Sequence, residues 1–151
     1  MLSCVGAFNT DELRAHSIHP EHPIVLVMPG SRKQEIQHLL PTFIATCQLL
    51  KKDNSQLQFV LPKAHTLPME LFATAGEANI KVIDCDANKL IPHCRAAMVC
   101  SGTATFEVAL YSVPEVICYK MSKLSYWIAR YLIKIDMIGL CNIVVGRKFA
   151  P

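Results

Sequence analysis

Ile24-Val25-Leu26-Val27-Met28-Pro29-Gly30-Ser31-Arg32 sets a short apolar, β-branched run directly against a proline–glycine turn, and helical spacing begins immediately afterwards. The same order returns at Ala96 to Cys100, which leads into Ser101-Gly102-Thr103-Ala104-Thr105-Phe106-Glu107. Runs of this length and content have the character of buried parallel strands. Two such turns at one edge of a single sheet form a site for a phosphorylated nucleotide, because backbone amides opening the following helices point at an anion. Neither turn has the glycine and lysine spacing of a dinucleotide fingerprint or a Walker loop. The pattern therefore implies a diphosphate held without the standard nucleotide motifs.

Outward from these turns, strand and helix signals alternate. Ser31 is placed to cap a helix whose apolar positions Ile36, Leu39, Leu40, Phe43, Ile44, Cys47 and Leu50 keep three- and four-residue spacing up to Lys51-Lys52. Leu57 to Leu61 reads as a strand stopped by Pro62, Leu67 to Ala75 as a short helix ended by Gly76, and Ile80 to Ile83 as a third strand. Asn88 to Cys94 is a short helical or turn segment interrupted by Pro92. A helix over Thr103 to Tyr111 and a fifth strand over Val116 to Tyr119 complete the alternation. The expected fold is α/β, a Rossmann-like parallel sheet with helices on both faces, whose right-handed crossovers bring the loops after each strand to one rim. Residues 1–23 carry polar and proline punctuation with little periodicity, as in a linker or the end of a preceding region; residues 24–151 form the expected binding domain.

The 151 residues suffice for one ordinary domain, and at 52% hydrophobic against 18% charged the chain has apolar surface to bury or to offer to a partner. A formal charge of +3 without any helix-turn-helix, zinc-finger or RNP pattern does not imply nucleic acid; a small anion or an anionic lipid fits better. Seven cysteines form no close pairs and several lie inside apolar runs, as reduced core thiols do. His16, His19 and His22 are broken up by Pro20 and Pro23, and His65 and His93 stand alone beside turns, so no metal site is expected. No stretch approaches the length of a membrane span. Residues 122–135 carry Leu124, Trp127, Ile128, Tyr131, Leu132 and Ile135 on one face and Lys123, Arg130 and Lys134 on the other: either a core helix with a solvated basic face or a helix beside an anionic bilayer.

Arg32 follows a strand and glycine turn, where a five-donor guanidinium can pair with a diphosphate; Lys33 and Gln34 are weaker candidates. Ser101, Thr103 and Thr105 offer hydroxyls, and Gly102 permits close backbone approach. Glu107 lies one turn into a helix of small and apolar groups, either as a capping carboxylate or as an acceptor for two ribose hydroxyls. Asp84 and Asp86 follow a strand toward the same rim. Asn142, between Gly139 and Gly146-Arg147, marks a further loop. No pair of carboxylates, and no carboxylate with histidine, declares itself as the base that glycosyl transfer needs.

These motifs together resemble the carboxyl-terminal, donor-binding half of the lipid-A-disaccharide synthases, glycosyltransferase family 19, which is similar to two-domain GT-B enzymes. The resemblance runs from roughly residue 22 to 151 and rests on Pro29-Gly30-Ser31-Arg32 with Glu35-Ile36, Ser101-Gly102-Thr103-Ala104-Thr105 with Glu107, Pro114, Tyr119-Lys120, and Asn142 with Gly146-Arg147. It implies transfer of 2,3-diacylglucosamine from its UDP derivative to 2,3-diacylglucosamine 1-phosphate, giving the tetraacyl disaccharide 1-phosphate and UDP. By motif, Gly30, Ser31 and Arg32 would meet the donor diphosphate, Ser101, Gly102 and Thr103 would line the phosphate cradle, Glu107 would take the nucleotide part and Asn142 would complete the site. No metal and no cofactor is implied.

The resemblance further implies a separate amino-terminal half carrying the catalytic aspartate and acceptor contacts, a further acidic motif beyond Pro151, a possible homodimer, and a place in the cytoplasm or on the cytoplasmic face of the bacterial inner membrane. Cys141 where a proline is usual and Phe106 for a commoner leucine are departures, and isolated activity is not expected. A soluble UDP-sugar transferase or epimerase domain, or an inactive nucleotide-binding remnant, are the competing expectations.

Overall fold

The computed structural model describes residues 6–119. Five strands form one parallel sheet: β1 (Ile24–Met28), β2 (Gln58–Lys63), β3 (Lys81–Asp84), β4 (Ala96–Cys100) and β5 (Glu115–Cys118), in the spatial order β3-β2-β1-β4-β5. β1 is central, in register with β2 through Leu26↔Val60 and with β4 through Met28↔Val99. The helices are α1 (Thr10–Ala15), α2 (Lys33–Asp53), α3 (Ala73–Glu77) and α4 (Ala104–Leu110).

Strand alternation divides the core into two layers. Ile24 and Leu26 face Leu13 of α1, Val108 of α4 and the 3-10 residue Ile91. Val25 and Val27 face Ile36, Leu40, Phe43 and Cys47 of α2, with Phe72 and Ala75 beside them. Because both faces of β1 are covered, the strand is apolar throughout instead of alternating. Phe43 is 1% exposed, and burying a side chain of this size contributes about 1.5–3 kcal/mol. The Rossmann-like parallel fold with helices on both faces is the expected one. No helix among the described residues is long and apolar enough to cross a membrane.

Several expected boundaries move. Pro62 lies inside β2, aligned with Ile83; the β1–β2 ladder ends at Val60, which leaves room for a residue without an N–H. Gly76 lies inside α3, and the stop comes instead at Asn79 (φ 59°). Asn79 N–H donates to Gly76 C=O (3.0 Å) and Ile80 N–H to Ala75 C=O (3.0 Å), a Schellman closure. α1 and α4 end the same way on Ser17 (φ 57°) and Ser112 (φ 58°). Pro41 is accommodated inside α2 without ending it.

The segment before β1 is also more than a connector. Asn9 and Glu12 form a reciprocal capping box that starts α1, and Leu13 and Ile18 are buried in the sheet core. Gln58 grips the following turn, its Oε1 accepting from His19 N–H (2.9 Å) and its Nε2 donating to His19 C=O (2.7 Å). Among the described residues of this segment Leu13 and Ile18 are buried in the core and Phe8 packs against it, too few to give a periodic signal.

Candidate functional site at the strand switch point

The chain leaves β1 through α2 toward β2 on one side, and returns after β3 to β4 on the other. α2 packs on one face of the sheet and α4 on the opposite face. The carboxyl ends of β1 and β4 therefore diverge at a topological switch point, where open α/β sheets form their ligand crevice. With Met28 opposite Val99, both glycine turns stand side by side there. The fold thus brings together Gly30, Ser31 and Arg32 with Ser101, Gly102 and Thr103.

The first turn is closed by Glu35. Its Oε2 accepts from the backbone N–H of Ser31 (3.1 Å) and Arg32 (3.3 Å), and its Oε1 accepts from Arg32 Nη1 (3.1 Å). Gly30 has φ 120°, and a Cβ there would lie 2.5 Å from Glu35 Oε2 and 2.7 Å from its Cβ, so only glycine fits. Two expectations change. Ser31 is not the helix cap, since α2 has Arg32 at its N-cap and Glu35 reaching back. The Ser31 and Arg32 amides also donate to the Glu35 carboxylate instead of standing unbonded at the crevice. The Arg32 side chain is 82% exposed, with the rest of its guanidinium donors available. Lys33 and Gln34 are exposed on the first turn of α2.

In the second turn, Ser101 N–H donates to Cys118 C=O (2.8 Å), fixing the loop to β5. Thr103 occupies the N-cap of α4 and is exposed, without a side-chain cap bond. Thr105 is fully buried and donates its hydroxyl to Gly102 C=O (2.8 Å), so it is a structural latch and not a free ligand group. Gly102 has no positive φ, and the nearest atom to an added Cβ is Cys100 C=O at 4.0 Å. Nothing in the packing of the described residues demands glycine there. Glu107 is half-buried, and no hydrogen bond or ion pair within the described residues engages its side chain. It is the acidic residue in the first turn of α4.

Further along the rim, the fold assembles a cluster that sequence reasoning missed. Lys63, at the end of β2 and 4% exposed, pairs with Asp84 Oδ2 (2.6 Å) and donates to the carbonyls of Ala64 (3.1 Å) and Leu67 (2.9 Å). His65 Nδ1 meets the other Asp84 oxygen. The hydrogen bond from Lys63 holds the Asp84 carboxyl below its ordinary value, with smaller contributions from the charges of Lys63 and His65. A carboxylate–histidine pair thus exists after all, but it is joined across two strands by Lys63↔Asp84 register and latches the loop after β2. The sequence signal is Lys63 itself, which β2 reaches because the strand continues through Pro62. Asp86 only opens a 3-10 turn, its C=O accepting from Lys89 N–H (3.1 Å).

Burial pushes the thiols of Cys47 and Cys94 up to about 12 and that of Cys85 to about 11. Cys100 is also raised to about 11, by burial first and then by the Glu35 carboxylate, which carries the influence of the first turn to the end of β4. These thiols stay protonated near neutral pH and are poor nucleophiles. Among the described residues no three His, Cys, Asp or Glu side chains gather as metal ligands. Asn142 and the amphipathic stretch 122–135 lie outside the described residues.

Comparison with known proteins gives this crevice its family. Residues 7–151 match the family described as Lipid-A-disaccharide synthetase. The chain belongs to the lipid-A-disaccharide synthetase family. It is 40% identical over 134 residues to the lipid-A-disaccharide synthase of Coxiella burnetii (strain Dugway 5J108-111), covering 89% of this chain and 36% of that protein. The lipid-A-disaccharide synthase of Syntrophus aciditrophicus is 38% identical over 145 residues, covering 93% and 38%. That of Trichlorobacter lovleyi is 42% identical over 130 residues, covering 84% and 34%. The chain therefore spans a little over a third of the length of the Coxiella and Syntrophus relatives. A crystal structure of a protein assigned as UDP-N-acetylglucosamine 2-epimerase from Listeria monocytogenes superimposes with a TM-score of 0.56 at 14% identity, over 92% of this chain and 38% of the other; the likeness is one of fold.

Proposed function

We propose that this member of the family is the donor-binding part of a lipid-A-disaccharide synthase. It holds UDP-2,3-diacylglucosamine in the β1/β4 crevice while the sugar passes to 2,3-diacylglucosamine 1-phosphate, leaving the tetraacyl disaccharide 1-phosphate and UDP. The observation that carries this reading is the strand order, which sets the Arg32 turn and the Ser101-Gly102-Thr103 turn on either side of one switch point, with Arg32 exposed.

In the transfer, the acceptor hydroxyl bonds to the anomeric carbon as the bond from that carbon to the UDP oxygen breaks; the hydroxyl proton leaves to a base. The base and the acceptor contacts belong to an amino-terminal half outside this chain. Arg32 neutralises charge growing on the leaving diphosphate, an electrostatic contribution that needs no proton transfer from the residue itself. Ser101 and Thr103 line the opposite wall, Gly102 leaves space for the phosphate, and Glu107 accepts from the ribose hydroxyls. Asn142 is assigned to the donor site by family motif alone. Association with a second copy and with an anionic membrane through residues 122–135 belong to the same proposal.

Isothermal titration of UDP into the 151-residue chain tests it, with Arg32→Ala and Glu107→Ala checked for retained secondary structure. Binding weakened about tenfold or more by each substitution supports the donor site, since losing a hydrogen bond to a charged group costs roughly 1.5–3 kcal/mol. Undetectable binding by the folded parent, or binding indifferent to both substitutions, overturns it.

A further inference from the structure

The first turn poses a question that the donor-site reading leaves open. An anion arriving at the end of β1 finds the Ser31 and Arg32 amides already bonded to Glu35 Oε2. The carboxylate is not a loose surface group. Its stem fills the space beneath Gly30, where a Cβ would come within 2.7 Å of Glu35 Cβ, and the Glu35 side chain is only 31% exposed. Arg32, by contrast, is 82% exposed and is held on one side only, through Nη1. An isolated exposed arginine would sample many rotamers, and ordering it on binding would cost affinity.

We infer that Glu35 is a positioning residue of the diphosphate site: by taking both turn amides and one Arg32 N–H, it folds the turn onto itself and presents the remaining guanidinium donors to a nucleoside diphosphate. The inference rests on the donor-site reading and deepens it. The first turn grips the diphosphate through the Arg32 side chain and not through the backbone amides of Ser31 and Arg32. Glu35 touches no ligand and acts through Arg32. The charge pair is partly exposed and contributes little to stability by itself; its effect is geometric.

The test is a double-mutant cycle on the 151-residue chain, with UDP and uridine as the titrated ligands. Glu35→Ala should weaken UDP binding about fivefold, the scale of a lost cap and its orientation, while uridine affinity stays within about twofold. In an Arg32→Ala background the same change should have almost no further effect on UDP, because the group it positions is gone. Glu35→Gln keeps an acceptor for the two amides but loses the charge-assisted bond to Arg32, so it should fall between wild type and Glu35→Ala; it also decides the matter if Glu35→Ala fails to fold. Loss that is additive with Arg32→Ala marks Glu35 as a cap alone and overturns the inference. Unchanged or tighter UDP binding in Glu35→Gln also overturns it, showing a carboxylate that competes with the phosphate. Absence of any effect from Arg32→Ala itself sinks the donor-site reading, which separates the two failures.

Discussion

The two glycines that flank the crevice look alike in sequence and differ in what the protein asks of them. Gly30 sits at φ 120° over the Glu35 side chain, whereas Gly102 has ordinary backbone angles and open space where a side chain would go. Gly30→Ala should cost about 1–3 kcal/mol in urea denaturation, from backbone strain and the displaced carboxylate. Gly102→Ala should leave stability within about 0.5 kcal/mol of the parent, and if a phosphate uses that space its cost should appear in UDP titration instead. Asp84 supplies a second contrast at this scale, since it neutralises the buried Lys63 ammonium while Asp86 opens an exposed turn. Asp84→Asn should therefore lower Tm more than Asp86→Asn. The Asp84 carboxyl is depressed in the folded protein, chiefly by the Lys63 hydrogen bond. Its contribution is present above the unfolded pKa and is lost as pH falls through the depressed folded value. The Tm gap between parent and Asp84→Asn should accordingly close below the ordinary carboxylate range.

At the scale of elements, α1, α3 and α4 share one ending. Each puts a non-glycine residue in the left-handed region and closes with a pair of apolar residues buried in the core: Leu13 with Ile18, Ala75 with Ile80, Val108 with Val113. The left-handed conformation strains a residue with a Cβ, and serine pays that strain at Ser17 and Ser112. Ser112→Gly should raise stability by about 0.5–1 kcal/mol in thermal or urea unfolding, with no change in the site. The sequence marks these stops weakly, because glycine, the usual signal, lies inside α3 at Gly76, ahead of the left-handed Asn79, and is missing from the ends of the other two. Similarly Pro62 marks a strand end by rule, yet β2 continues because its ladder with β1 has already finished. Local signals place an element well and its last residue poorly, since the final hydrogen bonds depend on which neighbour is paired at that position.

For the whole molecule, the sheet separates two cores that share the strand backbone but few side-chain partners. Ile83 lies in the layer with α1 and α4, and Ile36 in the layer with α2. Ile83→Val and Ile36→Val should each cost about 0.5–1.5 kcal/mol, and the double substitution should equal their sum within about 0.5 kcal/mol. Coupling beyond that would mean that the layers respond as one body. By itself the sequence determined the α/β class, the five strands and the two glycine turns, because a buried parallel strand must be apolar over its length and a turn of the Gly30 kind excludes other residues. It also carried the family, through ordered motifs that run from Pro29 to Gly146. Only the tertiary structure decided that both turns face one crevice, that Glu35 already fills the first, and that Lys63, Asp84 and His65 meet. The first and the last depend on strand order and register, which join residues far apart in the chain; the second depends on the reach of a side chain only three and four residues along, a rotamer that the sequence does not state.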